Sequence, residues 1–179
     1  VTTAFVLSPA RCNGRRAALY ASKLGARTEP IGDVFAWLSA LYFRGKLTYA
    51  RAFAPKRTFV MAPGIGLVPP DHSIGARDLR AMGEIEIESE PFAAQLRRDA
   101  RRLRARRVVL LGSIATGKYT EPLLDVVGER LVFPATFVGR GDMSRGGLLL
   151  RAAKSGEELA YAPVRGATVH GKRPAKLPR

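Results

Sequence analysis

The sequence predicts an α/β fold: a three-layer sandwich with a mainly parallel sheet of four to five strands and helices on both faces. Three observations carry this. Five short apolar runs rich in Val, Leu and Phe recur along the chain, as expected of strands buried on both faces. Helical stripes lie between them, which favours parallel strand connections. Polar, Gly-rich loops follow four of the runs, where ligand loops of such sheets lie.

The strand candidates are TAFVLS (3–8), RTFVMAP (57–63), RVVLLG (107–112), RLVFPA (130–135) and, less regular, LAYAPV (159–164). A short helix is expected over 15–23. Val34, Phe35, Leu38, Leu41 and Tyr42 form a stripe at helical spacing. Gly45 weakens that helix and marks an expected break before KLTYARAFA. Phe92, Leu96, Ala100 and Leu103 form another stripe, with arginines on the opposite face. GEIEIES (83–89) alternates and reads as an edge strand or an extended connection. Residues 1–164 are expected to form one domain. Residues 165–179 are basic, contain Pro and lack a core pattern, so a mobile tail is expected.

The chain has 179 residues, of which 46 % are apolar, enough for one domain with its own core. No run approaches the ~18 apolar residues of a membrane span. The start lacks a basic segment followed by an apolar stretch, so no signal peptide is expected. The single Cys12 makes no internal disulfide, and a cytoplasmic location is the default.

Charge is the dominant global property. Thirty Lys and Arg against fifteen Asp and Glu leave a net charge of +15. The excess is clustered. Residues 1–28 hold Arg11, Arg15, Arg16, Lys23 and Arg27 without an acid, LRRDARRLRARR holds seven Arg against Asp99, and the tail from Arg165 is acid-free. Clustered cations call for a nucleic-acid partner, with DNA slightly favoured over RNA. A membrane surface is disfavoured, because no basic helix carries a strong aromatic face.

RVVLLGSIATGKYTEPLL (107–124) spells GxxxxGK after an apolar run. A phosphate-binding P-loop places Ser or Thr directly after the Lys to hold magnesium. Tyr119 stands there, and Thr120 is one residue late. In a P-loop the helix is already under way at Lys118, which places Pro122 in its interior. TEPLL instead reads as Thr120 capping a helix whose first turn holds Glu121 and Pro122. No NTPase is expected, although Lys118 and the loop amides suit an anion.

GIGLVPPDHSIG presents Asp71 and His72 after two prolines, a carboxylate beside an imidazole suited to acid/base work. Cys12 is expected to be structural, because no third member of a Cys–His triad is visible. With only His72 and His170, no metal site is expected, and no cofactor is called for. In VGRGDMSRGGLLLRAA, Asp142 reads first as an N-cap. Gly146 and Gly147 imply close approach of a strand or a ligand. Arg140 and Arg145 flank the turn and suit phosphate or carboxylate.

The segments SPARC, LYFRGKLTYARAFA, FVMAPGIGLVPPDHSIGARDL, VVLLGSIATGKYTEPLL and FVGRGDMSRG are similar, in this order, to those of a Rossmann-like bacterial family of unknown function. More distantly they resemble the core domain of archaeosine synthase. The likeness spans roughly residues 4–150 and is most specific over Gly66–Leu79. That family carries Cys and Lys after its first strand, where this sequence has Pro9 and Arg11. The resemblance implies a Rossmann-like fold, a nucleobase theme and a kinship with uracil-DNA glycosylase-like folds.

These readings converge on a nucleic-acid-directed enzyme acting at a base or its N-glycosidic bond, in the manner of a repair glycosylase. Its candidate catalytic residues are Asp71, His72 and Asp142. Arg11, Asn13, Arg15, Lys118, Arg140 and Arg145 are candidates for phosphate. Tyr119 and Phe137 are candidates for stacking on a base. The alternatives are a non-catalytic nucleic-acid-binding module and a small nucleoside hydrolase or deoxyribosyltransferase-like enzyme.

Overall fold

β1 (Thr3–Leu7) runs through the centre of the sheet because every one of its residues is apolar or small enough to be buried on either face. It pairs in parallel with β3 (Thr58–Ala62) on one side and β6 (Arg107–Leu111) on the other. β7 (Leu131–Pro134) continues the parallel set beyond β6. The computed structural model describes residues 1–178, so Arg179, the end of the expected tail, lies outside the described residues.

Four of the five strands expected from sequence form this parallel core, and the fifth, β8 (Tyr161–Pro163), pairs antiparallel with β7. The sequence did not signal β4 (Gly66–Val68), which folds back antiparallel on β3. The sheet therefore has six strands in the order β4-β3-β1-β6-β7-β8. Its three-residue edge strands limit the unpaired backbone offered to other chains. A separate antiparallel ribbon joins β2 (Thr28–Pro30) to β5 (Ser73–Gly75).

Helices cover both faces. α2 (Ile31–Phe53) packs on α6 (Asp142–Ser155), and α4 (Glu90–Ala100) packs on α5 (Thr120–Val127). α1 (Arg15–Leu24) lies against α3 (Ala76–Gly83). Phe5, on β1, meets Tyr49 of α2 edge-on at 5.6 Å between ring centroids.

α2 does not break at Gly45. It kinks at Ala40, whose φ of 47° and ψ of −123° leave the helical region. Gly45 serves another purpose. A Cβ there would sit 2.7 Å from the carbonyl oxygen of Gly146, and a Cβ on Gly146 would sit 2.7 Å from that of Leu41. The close approach inferred from Gly146 is thus to α2, neither a strand nor a ligand. Gly147 faces only Leu177, at 3.8 Å.

GEIEIES is no strand. Glu84, Ile85 and Ser89 each donate their amide to the carbonyl three residues back, which winds the segment into turns before Ser89 caps α4. Its alternation reflects Ile85 and Ile87 turning inward. Asp142 is the first residue of α6, and Gly141 takes the cap position. Asp99, the single acid of the arginine-rich stretch, is buried and accepts the amide of Leu67 at 3.0 Å, which fastens β4.

From Arg165 to Pro178 the chain forms no helix or strand, but it lies against the body. The Lys172 carbonyl closes over Gly139, Leu177 reaches Gly147, and the Pro178 carbonyl accepts from Arg151.

Candidate functional site

From β1 the chain winds toward β3, and from β6 it winds the opposite way toward β7. The carboxyl ends of β1 and β6 therefore border a topological switch point, the place where open α/β sheets bind ligands. The two ends approach closely: a Cβ on Gly112 would lie 2.8 Å from both Cβ and Oγ of Ser8.

A cleft of about 220 Å³ opens beside this point. Its walls are Pro63, Met82, Ile85, Ile87 and Tyr119, and its polar lining is Arg11, Asn13 and Lys118. Each comes from a loop or helix end that the sheet gathers. Arg11 Nε donates to Asn13 Oδ1 at 3.0 Å, which orders the loop after β1. Lys118 Nζ lies 5.2 Å from the centroid of the Tyr119 ring. Gly83 permits α3 to end against this loop, since a Cβ would meet the Cys12 carbonyl at 2.6 Å. Among the described residues, no carboxylate lines the cleft. The loop from Gly112 bends at Gly117 (φ 71°), and α5 begins at Thr120 with Pro122 inside its first turn; Thr120 is the first helical residue and not the expected cap, a position Tyr119 takes without a side-chain bond.

The structure thus gathers Arg11, Asn13, Lys118 and Tyr119. Arg15 is exposed at the start of α1, and no side chain caps that helix. Asp142, Arg140 and Arg145 lie at the start of α6, after β7. Arg140 donates to Thr136 O and Ser144 Oγ. Arg145 donates to Phe137 O and rests over the Phe137 ring at 5.3 Å. Phe137 is fully buried beneath it and offers no face to a base.

Asp71 and His72 stand apart from these residues. β4 runs antiparallel to β3, with Val68 opposite Val60, so the chain after Val68 heads away from the carboxyl ends. There the Pro70 and His72 carbonyls accept the amides of Gly32 and Ile31 at 2.9 and 2.8 Å. The PPDH turn therefore satisfies free donors at the start of α2. Asp71 is exposed, and neither it nor His72 lines the cleft.

Sequence reasoning missed the most unusual group at the switch point. Lys46 is only 1 % exposed. Its Nζ donates to Ser8 O and Ser8 Oγ, each at 2.9 Å, and lies 4.5 Å from the centroid of the Tyr42 ring. Burial lowers its pKa to about 7, with Asp142 opposing that shift and Arg145 adding to it. The signal was legible: Lys46 follows Leu38 and Tyr42 at four-residue steps on a buried stripe. Cys12, half-buried, donates to the Ala10 carbonyl, and burial pushes its thiol up to about 12. That is a poor nucleophile.

The buried lysine carries a pH prediction. Unfolded, Lys46 binds a proton below its ordinary value of 10.5; folded, it does so only below about 7. Between these values the unfolded chain holds more protons, so stability rises with pH, by up to ~1.4 kcal/mol per unit. Above about pH 9 the raised Cys12 thiol opposes the trend, because the unfolded thiol ionises first. Denaturant midpoints should climb from about pH 7 to 9, and Lys46→Met should flatten that climb.

Cations occupy both ends of the sheet. Arg101, Arg102, Arg104 and Arg106 are exposed between α4 and β6, at the end opposite the cleft. Neighbouring arginines are engaged: Arg97 with Glu90 and Asp125, each at 2.8 Å, Arg98 with Asp99 at 3.1 Å and Arg107 with Glu158 at 3.3 Å. At the carboxyl end are Arg11, Arg15, Lys118 and the tail cations Arg173 and Lys176 beside Arg140. Among the described residues, no helix is long and apolar enough to cross a membrane. Compared with known proteins, the chain matches no family model, no curated protein and no solved structure.

Proposed function

We propose that this protein acts on nucleic acid one base at a time, drawing a base into the cleft at the switch point and hydrolysing its N-glycosidic bond. The supporting observation is the cleft itself. A slot of mixed lining, with Ile85, Ile87 and Tyr119 on its walls and Arg11, Asn13 and Lys118 along it, suits a flat heterocycle attached to phosphates. Its volume of about 220 Å³ is below the ~300 Å³ usual for drug-sized ligands and matches a single base. The uncapped start of α1 beside Arg15 adds backbone donors for phosphate. DNA is favoured slightly over RNA, and the reaction runs in the cytoplasm. The resemblance to the archaeosine synthase core agrees with the nucleobase theme.

In this reading Asn13 and Lys118 donate to the leaving base. Asp142 is the carboxylate that orients water or stabilises the developing sugar cation, because its charge bears on Lys46 at the switch point, a tie that Asp71 lacks. One observation favours a second reading, a binding module without catalysis: among the described residues, no carboxylate lines the cleft.

Salt-dependent binding tests the proposal. Affinity for oligonucleotides should fall steeply with salt, the slope flattening by about one for each lost phosphate contact in variants neutralised at Arg11, Arg15 and Lys118. Removing the tail from Lys172 should flatten it further. Neutralising Arg101, Arg102, Arg104 and Arg106 should change it little. A larger effect at the far end would move the interface away from the cleft, and salt-independent binding would end the polymer reading.

A further inference from the structure

We propose that Lys46, Tyr42 and Arg145 form an anion hole for a phosphate group at the switch point, behind the cleft. The inference rests on the reading that the cleft takes a base, and it names where the attached phosphate goes.

Three observations carry it. The Lys46 ammonium spends two hydrogen bonds on Ser8, both on neutral oxygens. Among the described residues, no carboxylate lies within ion-pair distance of it. Protonating a buried amine without a counter-ion is costly, and a bound anion offsets that cost. Second, the Tyr42 hydroxyl, one helical turn before Lys46, is buried, the residue being 8 % exposed, and among the described residues its proton finds no acceptor, the Arg145 guanidinium beside it being a donor only. Buried hydroxyls are rarely left so. Third, Arg145 comes to both groups from α6: its guanidinium lies beside the Tyr42 hydroxyl, and its Nε and Nη2 are held by the Phe137 carbonyl.

The surroundings are defined. From β1 comes Ser8, from α2 itself Phe43, from the loop after β6 Tyr119, and from α6 Arg145 and the exposed Asp142. Tyr119, a wall of the cleft, feels the Tyr42 hydroxyl, which puts the hole next to the base slot. Among the described residues, Asp142 is the one acid whose charge bears on Lys46 and Tyr42, and it supports the protonated lysine. A phosphate dianion accepts from ammonium, hydroxyl and guanidinium at once.

The geometry has a distinctive consequence. Lys46 is largely neutral in the free protein above neutral pH, so anion binding must bring a proton with it. Calorimetry near pH 8, in two buffers of different ionisation enthalpy, reads that proton directly. Inorganic phosphate and nucleoside 5′-monophosphates are the probes, compared with oligonucleotides with and without a 5′-phosphate. The expected result is uptake close to one proton per phosphate bound. Lys46→Met should abolish the uptake, and Tyr42→Phe should weaken binding roughly tenfold or more while keeping the fold. If only 5′-phosphorylated oligonucleotides show uptake, the phosphate comes from the polymer; uptake with monophosphates assigns it to free nucleotides.

Phosphate binding without proton uptake, or unchanged in Tyr42→Phe and Lys46→Met, overturns the anion hole. So does the absence of binding by every phosphate probe. In each case salt-dependent oligonucleotide binding through Arg11 and Lys118 leaves the cleft reading standing. Loss of that oligonucleotide binding with proton uptake intact would remove the cleft reading and leave the anion hole in place.

Discussion

Gly146→Val is expected to cost about 3 kcal/mol or more, lowering the melting temperature by roughly 10 °C. The new Cβ would stand 2.7 Å from the Leu41 carbonyl, against backbone rather than a movable side chain. α2 and α6 would have to separate, and α2 carries Tyr42 and Lys46 onto the switch point. Gly147→Ala is the control. Only Leu177 lies within reach there, at 3.8 Å, so the gain in helix propensity, ~0.8 kcal/mol, should appear as added stability. Thermal melts of the two variants decide the matter: equal losses would show that the helix contact is looser than described.

Under the proposed function, Asp142→Asn is expected to lower turnover by ~10²–10⁴-fold. Its melting temperature should hardly change, because Asp142 is exposed and makes no cap bond. Asp71→Asn should retain most activity. Its turn is held by the backbone carbonyls of Pro70 and His72, which the substitution leaves in place. If Asp71→Asn loses activity and Asp142→Asn keeps it, the catalytic carboxylate belongs to the turn after β4.

The strands were legible because continuous apolar runs such as RVVLL have no use except burial on both faces. Thr3–Leu7, Thr58–Ala62 and Arg107–Leu111 each fall within one residue of the expected bounds. β4 was not legible. GLV is too short to show a period, and what holds it, the buried Asp99, is distant in sequence. GEIEIES misled because alternation also arises when two isoleucines turn inward from an irregular segment.

The site was legible where chemistry sits on strand exits, as with Arg11, Asn13, Lys118 and Tyr119. It was not legible where function and folding share a motif. Asp71 and His72 resemble a catalytic pair, yet their backbone caps α2. Lys46 was overlooked, although it follows Tyr42 by one helical turn on a buried stripe, because a lysine in mid-helix ordinarily faces solvent and its bond to Ser8 joins residues far apart in sequence. The arginine-rich stretch was visible as charge, but its position, at the end of the sheet away from the cleft, follows from topology alone.

The most direct test of the central claim is incubation with labelled DNA and RNA carrying uracil, hypoxanthine or alkylated bases, scored for abasic sites. Base release from at least one substrate is the predicted result, lost in Asp142→Asn and reduced in Lys118→Ala. Tight, salt-sensitive binding with no abasic site on any substrate would contradict glycosidic hydrolysis and leave a base-binding module.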